Sequence, residues 1–157
     1  MDSDLTEEKQ RLLKAVKDGL FAVDHTAKSL GITIDSIGIG AASGSMIIRQ
    51  DMLNSHGTCH GGMIFTLADT IFAYACNSEN KATVALSCTI DYATPAFEGE
   101  RLIARGERNF RNARTGTYDI TVTKEDGTTV ALFRGGSYQI NAESVPGLNE
   151  RLEIEDS

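Results

Sequence analysis

The chain has 157 residues, 41% of them hydrophobic, and a formal net charge of −7. That length suits a single domain with one core. The acidic balance, with a pI near 4.9, argues against a nucleic-acid surface, which needs clustered Lys and Arg, and no apolar run approaches the roughly 20 residues of a membrane span.

The opening M-D-S-D-L-T-E-E-K-Q is acidic and polar, unlike the basic-then-apolar pattern of a signal peptide. Three cysteines, Cys59, Cys76 and Cys88, suggest reduced thiols and a cytoplasmic protein. Residues 6–29 place Leu12, Leu13, Val16, Leu20, Phe21 and Val23 among charges, predicting an amphipathic helix broken near Gly19, with Gly31 as a stop. G-I-T-I-D-S-I-G-I-G alternates like a strand, and S-G-S-M-I-I-R-Q reads as its hairpin partner. From Met63 to Cys76 the run is apolar on nearly every side, without Pro or Gly. At about 14 residues this is a buried helix.

Four strand-like segments follow at 82–92, 101–110, 115–124 and 128–140, separated by turns at Pro95–Gly99, Asn112–Gly116 and Glu125–Gly127. The folded domain is expected over 1–141, and residues 142–157 read as an acidic, poorly ordered tail. One wholly apolar helix among strands predicts an α+β fold in which an antiparallel sheet curls around that helix. Any face the sheet leaves open would want another subunit.

Within the apolar helix Thr66, Asp69 and Thr70 are spaced i, i+3, i+4, in one stripe with Gly62 and Ala73. A carboxylate there cannot be desolvated without cost. Asp69 therefore has either a hydrogen-bonded partner or a raised pKa, and the latter is typical of catalytic carboxylates. Gly61 and Gly62 open the same helix, where the first N–H groups lack partners and the dipole is positive, so an oxyanion can be held. Oxyanion donor plus carboxylate reads as acyl-transfer machinery. Gly61 and Asp69 lie eight residues apart, about 12 Å along a helix at ~1.5 Å per residue. One carbonyl cannot touch both, so a shared role predicts a site built from two chains across a two-fold axis.

The motifs H-G-G-M-I-F-T-L-A-D, T-I-F-A-Y-A-C-N-S, A-L-S-C-T-I-D-Y, P-A-F-E-G-E, T-G-T-Y-D-I and V-A-L-F-R-G are similar to those of the hotdog-fold acyl-CoA thioesterases. The match, over roughly residues 25–141, is strongest to the phenylacetic-acid-degradation branch. The resemblance implies a hotdog fold that hydrolyses an aryl or arylacetyl-CoA, with no cofactor beyond the coenzyme A of the substrate. It implies that Asn54 positions the thioester or its water, that the Gly61 amide polarises the carbonyl, and that Asp69 is base or nucleophile. It also implies that Ser87 holds the water or the carboxylate. Asn and Gly would come from one subunit and Asp and Ser from its neighbour, in a homo-oligomer expected to be a dimer of dimers. Met63 departs from the pattern, since relatives carry a polar residue there, and reads as a changed pocket wall.

His60 could serve as a base, but beside the glycines it reads better as an organiser of its loop. His56, Cys59 and His60 are too few for a metal, and none is expected. Cys59 would need an activating base to act as nucleophile, while Cys76 and Cys88 read as core residues. Gly62 and Thr70 are expected against the substrate. Arg101, Arg105, Arg108, Arg111 and Arg114 fall within fourteen residues. Of these, Arg108, Arg111 and Arg114 suit the phosphates of coenzyme A, because guanidinium binds phosphate bidentately. A hotdog dehydratase or hydratase, which would use a His with a helix carboxylate, and a non-enzymatic acyl-CoA-binding module are the competing functions. The apolar helix carries no His.

Overall fold

A computed structural model describes residues 6–155. The first helix, α1 (Glu7–Val23), starts where Thr6 caps the Lys9 amide and Glu7 and Glu8 meet the positive end of the dipole. It does not break at Gly19. The Val145 side chain stands 2.8 Å from where a Cβ of Gly19 would sit, so the glycine lets the C-terminal segment close on the helix. The break is at Asp24, whose backbone ends α1 and whose carboxylate accepts the Ala27 amide at 3.0 Å to start α2 (His25–Leu30). A capping carboxylate satisfies orphan amides, which an internal glycine cannot do. Gly31, with φ of 68°, ends α2 as expected.

The strands are β1 (Thr33–Gly38), β2 (Ala41–Ile47), β3 (Lys81–Tyr92), β4 (Arg101–Arg111), β5 (Thr115–Lys124) and β6 (Thr129–Glu143). They form one antiparallel sheet in the order β1-β2-β4-β5-β6-β3. The central helix α3 (Gly61–Cys76) packs against all six strands, the hotdog arrangement. It sits close because the strands beneath it carry glycines. A Cβ at Gly44 would lie 2.7 Å from Ile71, and one at Gly135 would lie 2.7 Å from the Phe72 ring. Leu67, Ala68, Ile71, Phe72 and Ala75 are buried in this seat.

The tail is more ordered than its composition suggests. After β6, helix α4 (Leu148–Glu155) docks with Leu148 buried. Asn80 receives the Val145 amide at 2.8 Å and donates to Asn149 at 2.9 Å, while the Glu143 carboxylate accepts from Gly147 and Asn149 amides. The Asn80 contacts span more than sixty residues and supply the order that acidity alone argued against. Positions 156 and 157 lie outside the described residues. Among the described residues no helix is long and apolar enough to cross a membrane.

The sheet leaves one side of α3 open. Gly62 and Ala73 are exposed, and Thr66, Asp69 and Cys76 are half-buried along the same strip. Beside the strip runs β3, an edge strand that pairs only with β6. Its Val84 and Leu86 are 49% and 62% exposed.

Candidate active site

The site falls into two halves along α3. At the start of the helix, the loop before it is fastened by the Cys59 amide to the Ala96 carbonyl and the His60 amide to the Met52 carbonyl, both at 2.8 Å. Asn54 is part of this framework. Its Oδ1 accepts the His56 and Thr58 amides, and its Nδ2 donates to the Thr58 hydroxyl at 2.9 Å. Its side chain thus folds the loop, and any contact with a thioester would have to share those atoms.

His60 is the helix cap. Its Nδ1 accepts the Gly62 amide at 3.0 Å, and its carbonyl accepts the Met63 amide at 2.9 Å. Gly62, expected against substrate, therefore has its N–H occupied. The Gly61 N–H has no acceptor among the described residues, leaving one unpaired amide at the positive end of a buried helix. Cys59 is buried beside it, and desolvation pushes its thiol up to about 11, away from nucleophile chemistry.

Two turns further on, Asp69 is half-buried. Burial raises its pKa, opposed only by a weak hydrogen bond from the Cys88 thiol, with Sγ 3.9 Å from Oδ1. No cation pairs with it among the described residues. Of the two outcomes open from sequence both are present, a weak thiol donor and a carboxyl that burial pushes up. Nearby Cys76 is held at about 12, chiefly by burial.

Ser87 does not join this half within the chain. It pairs with Gly136 and its hydroxyl lies 2.9 Å from the Cβ position there, whereas Gly135, the next residue, faces Phe72 of α3. Ser87 thus lies on the outer face of the sheet, and the strand residue meeting Asp69 is Cys88. Thr70 is corrected too: it is buried and its hydroxyl donates to the Thr66 carbonyl at 2.7 Å, turning it from the open strip. Met63 is half-buried against the core.

The arginines separate. Arg108 and Arg111 both donate to Oε2 of Glu79, at 3.0 and 2.8 Å, an acceptor in the turn that follows α3. Arg111 also bonds Gln139. Arg114 is exposed, and among the described residues its guanidinium donates to the Gln139 carbonyl alone, at 3.3 Å. Arg111 and Arg114 line one cavity with Cys76, Glu79 and Lys81.

Tyr92 was missed from sequence. Its hydroxyl donates to the Gly61 carbonyl at 2.8 Å, and its ring atoms lie 3.0 Å from the Gly61 Cβ position. Strand parity carries the signal: Cys88, Ile90 and Tyr92 share the helix-facing side of β3, and Ser87, Thr89 and Asp91 the other. Four residues of strand span about 13 Å, close to the ~12 Å from Asp69 back to Gly61. One strand therefore touches both halves of the site.

An antiparallel sheet wrapped on one helix, with a free first amide and a half-buried carboxylate, defines a hotdog protein equipped for acyl transfer. The model of the thioesterase superfamily matches residues 56–131. Acyl-coenzyme A thioesterase PaaI of Escherichia coli strain K12 is 47% identical over 121 residues, 77% of this chain and 86% of that protein. The structure of the E. coli PaaI protein superposes with a TM-score of 0.83 at 43% identity, covering 85% of this chain and 96% of that one. The phenylacetic acid degradation protein PaaI of Thermus thermophilus, in a mutant form, gives a TM-score of 0.71 at 38% identity, over 73% of this chain and 98% of that one. The chain belongs to the thioesterase superfamily.

Proposed function

We propose that this protein is an acyl-CoA thioesterase, hydrolysing an aryl or arylacetyl-CoA to the free acid and coenzyme A. The observation that carries the reading is the combination, on one helix, of a Gly61 amide and a half-buried Asp69 that have, among the described residues, no acceptor and no cation respectively. The Gly61 N–H donates to the oxygen and stabilises its charge as the thioester carbonyl becomes a tetrahedral oxyanion. Asp69 acts on the carbonyl carbon, taking a proton from attacking water or attacking directly, and a raised pKa strengthens it as a base. Collapse of the intermediate expels the coenzyme A thiolate, which on the water route is protonated by the proton Asp69 took up; on the direct route water then hydrolyses the Asp69 acyl anhydride to the free acid. The chemistry draws on these groups and water, without a cofactor or metal. The aryl preference rests on the similarity to the PaaI proteins.

Because ~12 Å of helix separates the two groups, each site joins Gly61 of one chain to Asp69 of a second. The open strip of α3 and the free edge of β3 supply the surface for that partner, and a dimer of dimers follows as the working assembly. Arg114, the arginine without a carboxylate partner among the described residues, is the best placed of the three to meet coenzyme A phosphate. Three free cysteines suit a cytoplasmic location. Thiol release from short, long and aryl acyl-CoAs tests the reading, with Asp69→Ala as control. Aryl-CoA should turn over fastest and the control should be inactive, whereas binding without turnover would favour an acyl-CoA-binding module.

A further inference from the structure

Two successive glycines are a poor foundation for an oriented donor, because each loses more backbone freedom on ordering than any other residue. The peptide linking Gly61 to Gly62 is nevertheless held at both ends. Its N–H donates to His60 Nδ1 at 3.0 Å and its carbonyl accepts from the Tyr92 hydroxyl at 2.8 Å. The preceding peptide carries the free Gly61 N–H, and its own carbonyl is fixed by the Met63 amide at 2.9 Å. The free donor thus sits next to a plane clamped by two side chains. The Tyr92 ring also occupies the space a Gly61 side chain would need, at 3.0 Å from the Cβ position. A Cβ at position 61 would press on this ring, which is exposed and can give by the few tenths of an ångström needed.

We propose that Tyr92 is a positioning residue for the oxyanion donor: its hydroxyl fixes the Gly61–Gly62 peptide so that the Gly61 N–H points steadily at the thioester oxygen. Tyr92 lies in an open groove with Gly61, Cys59, Ile64, Thr94 and Pro95 and is 52% exposed, so its ring also walls the approach to the amide. The inference rests on the reading of Gly61 as oxyanion donor. A preorganised donor lowers the barrier because no reorientation is left for the transition state, so the loss should fall on kcat.

The test is a double-mutant cycle on the full-length protein with phenylacetyl-CoA. Tyr92→Phe keeps the ring and removes the clamp. It should lower kcat about tenfold, the equivalent of one hydrogen bond of ~1.4 kcal/mol, with KM within about twofold. Gly61→Ala and Gly61→Pro carry the same added Cβ, but only the proline lacks the N–H. Proline is tolerated at the first helical position, and His60, with ψ of 133°, already has the conformation a following proline demands. In the Gly61→Pro background Tyr92→Phe should have no further effect, because its role runs through the missing donor. Tyr92→Phe at the parental kcat, or an equal effect with and without the donor, overturns the inference and leaves the Gly61 reading intact. Equal activity of Gly61→Ala and Gly61→Pro removes the donor itself and the inference with it.

Discussion

Replacing Asp69 by Asn separates a catalytic carboxylate from a structural one, because the two roles give opposite signs in stability. The substitution keeps shape and removes charge. In the folded chain the carboxylate is half-buried, and its contact is a thiol 3.9 Å away. A carboxyl whose pKa is raised on folding binds its proton more tightly when folded than when unfolded. The folded state therefore loses stability as pH climbs from the ordinary value of 3.8 through the raised one, and carries the full penalty above it. Relieving an under-partnered charge is worth about 1 kcal/mol after allowance for partial exposure, or roughly 2–4 °C in melting temperature for a chain of this size. Asp69→Asn should thus melt higher than the parent at pH 8, and the gain should vanish on titration below the ordinary carboxylate range. Over the same series kcat should fall by ~100-fold or more. Thermal unfolding at about pH 3 and pH 8, beside thiol-release kinetics at pH 8, makes the comparison. A variant that melts lower at pH 8 and keeps its activity would mean that Asp69 is a paired structural group.

Other substitutions probe the surroundings. Arg114→Ala should raise KM for acyl-CoA several-fold, an effect that shrinks at about 1 M salt, where screening reaches ~3 Å. Arg108→Ala should instead leave KM near the parental value and lower the melting temperature by about 2–4 °C, since it takes one of two cations from the half-buried Glu79. Gly135→Ala should destabilise by about 1–3 kcal/mol in chemical denaturation, because the new methyl meets the Phe72 ring at 2.7 Å.

Periodicity and punctuation made most of the fold legible. The run from Met63 to Cys76 could only be a buried helix, Gly31 stopped α2, and the alternation of β4, β5 and β6 set their bounds within a few residues. What sequence missed depends on distant partners. Gly19 signals a break only until Val145 is seen to fill its place, and the order of α4 comes from Asn80, more than sixty positions upstream. In the candidate site, residue type singled out Gly61 and Asp69, because glycines at a helix start leave an amide open and a lone carboxylate in an apolar helix is unusual. Spacing alone overreached with Thr70, which sits one position around the helix and is turned inward. Ser87 came from the family resemblance and Cys88 was read as a core residue, whereas strand parity puts Cys88 with Ile90 and Tyr92 on the helix-facing side and Ser87 on the other. Arg108 and Arg111 looked free because Glu79 lies far from them in sequence.

The central claim is that each active site takes Gly61 from one chain and Asp69 from the next. Mixing inactive Gly61→Pro chains with inactive Asp69→Asn chains tests it most directly, after unfolding and reassembly and with mixed oligomers verified by differential tags. Random pairing makes about half the dimers mixed, and each mixed dimer holds one intact site of two, so activity should recover to about a quarter of the parental value. Verified mixed oligomers that stay as inactive as either parent would contradict the shared site.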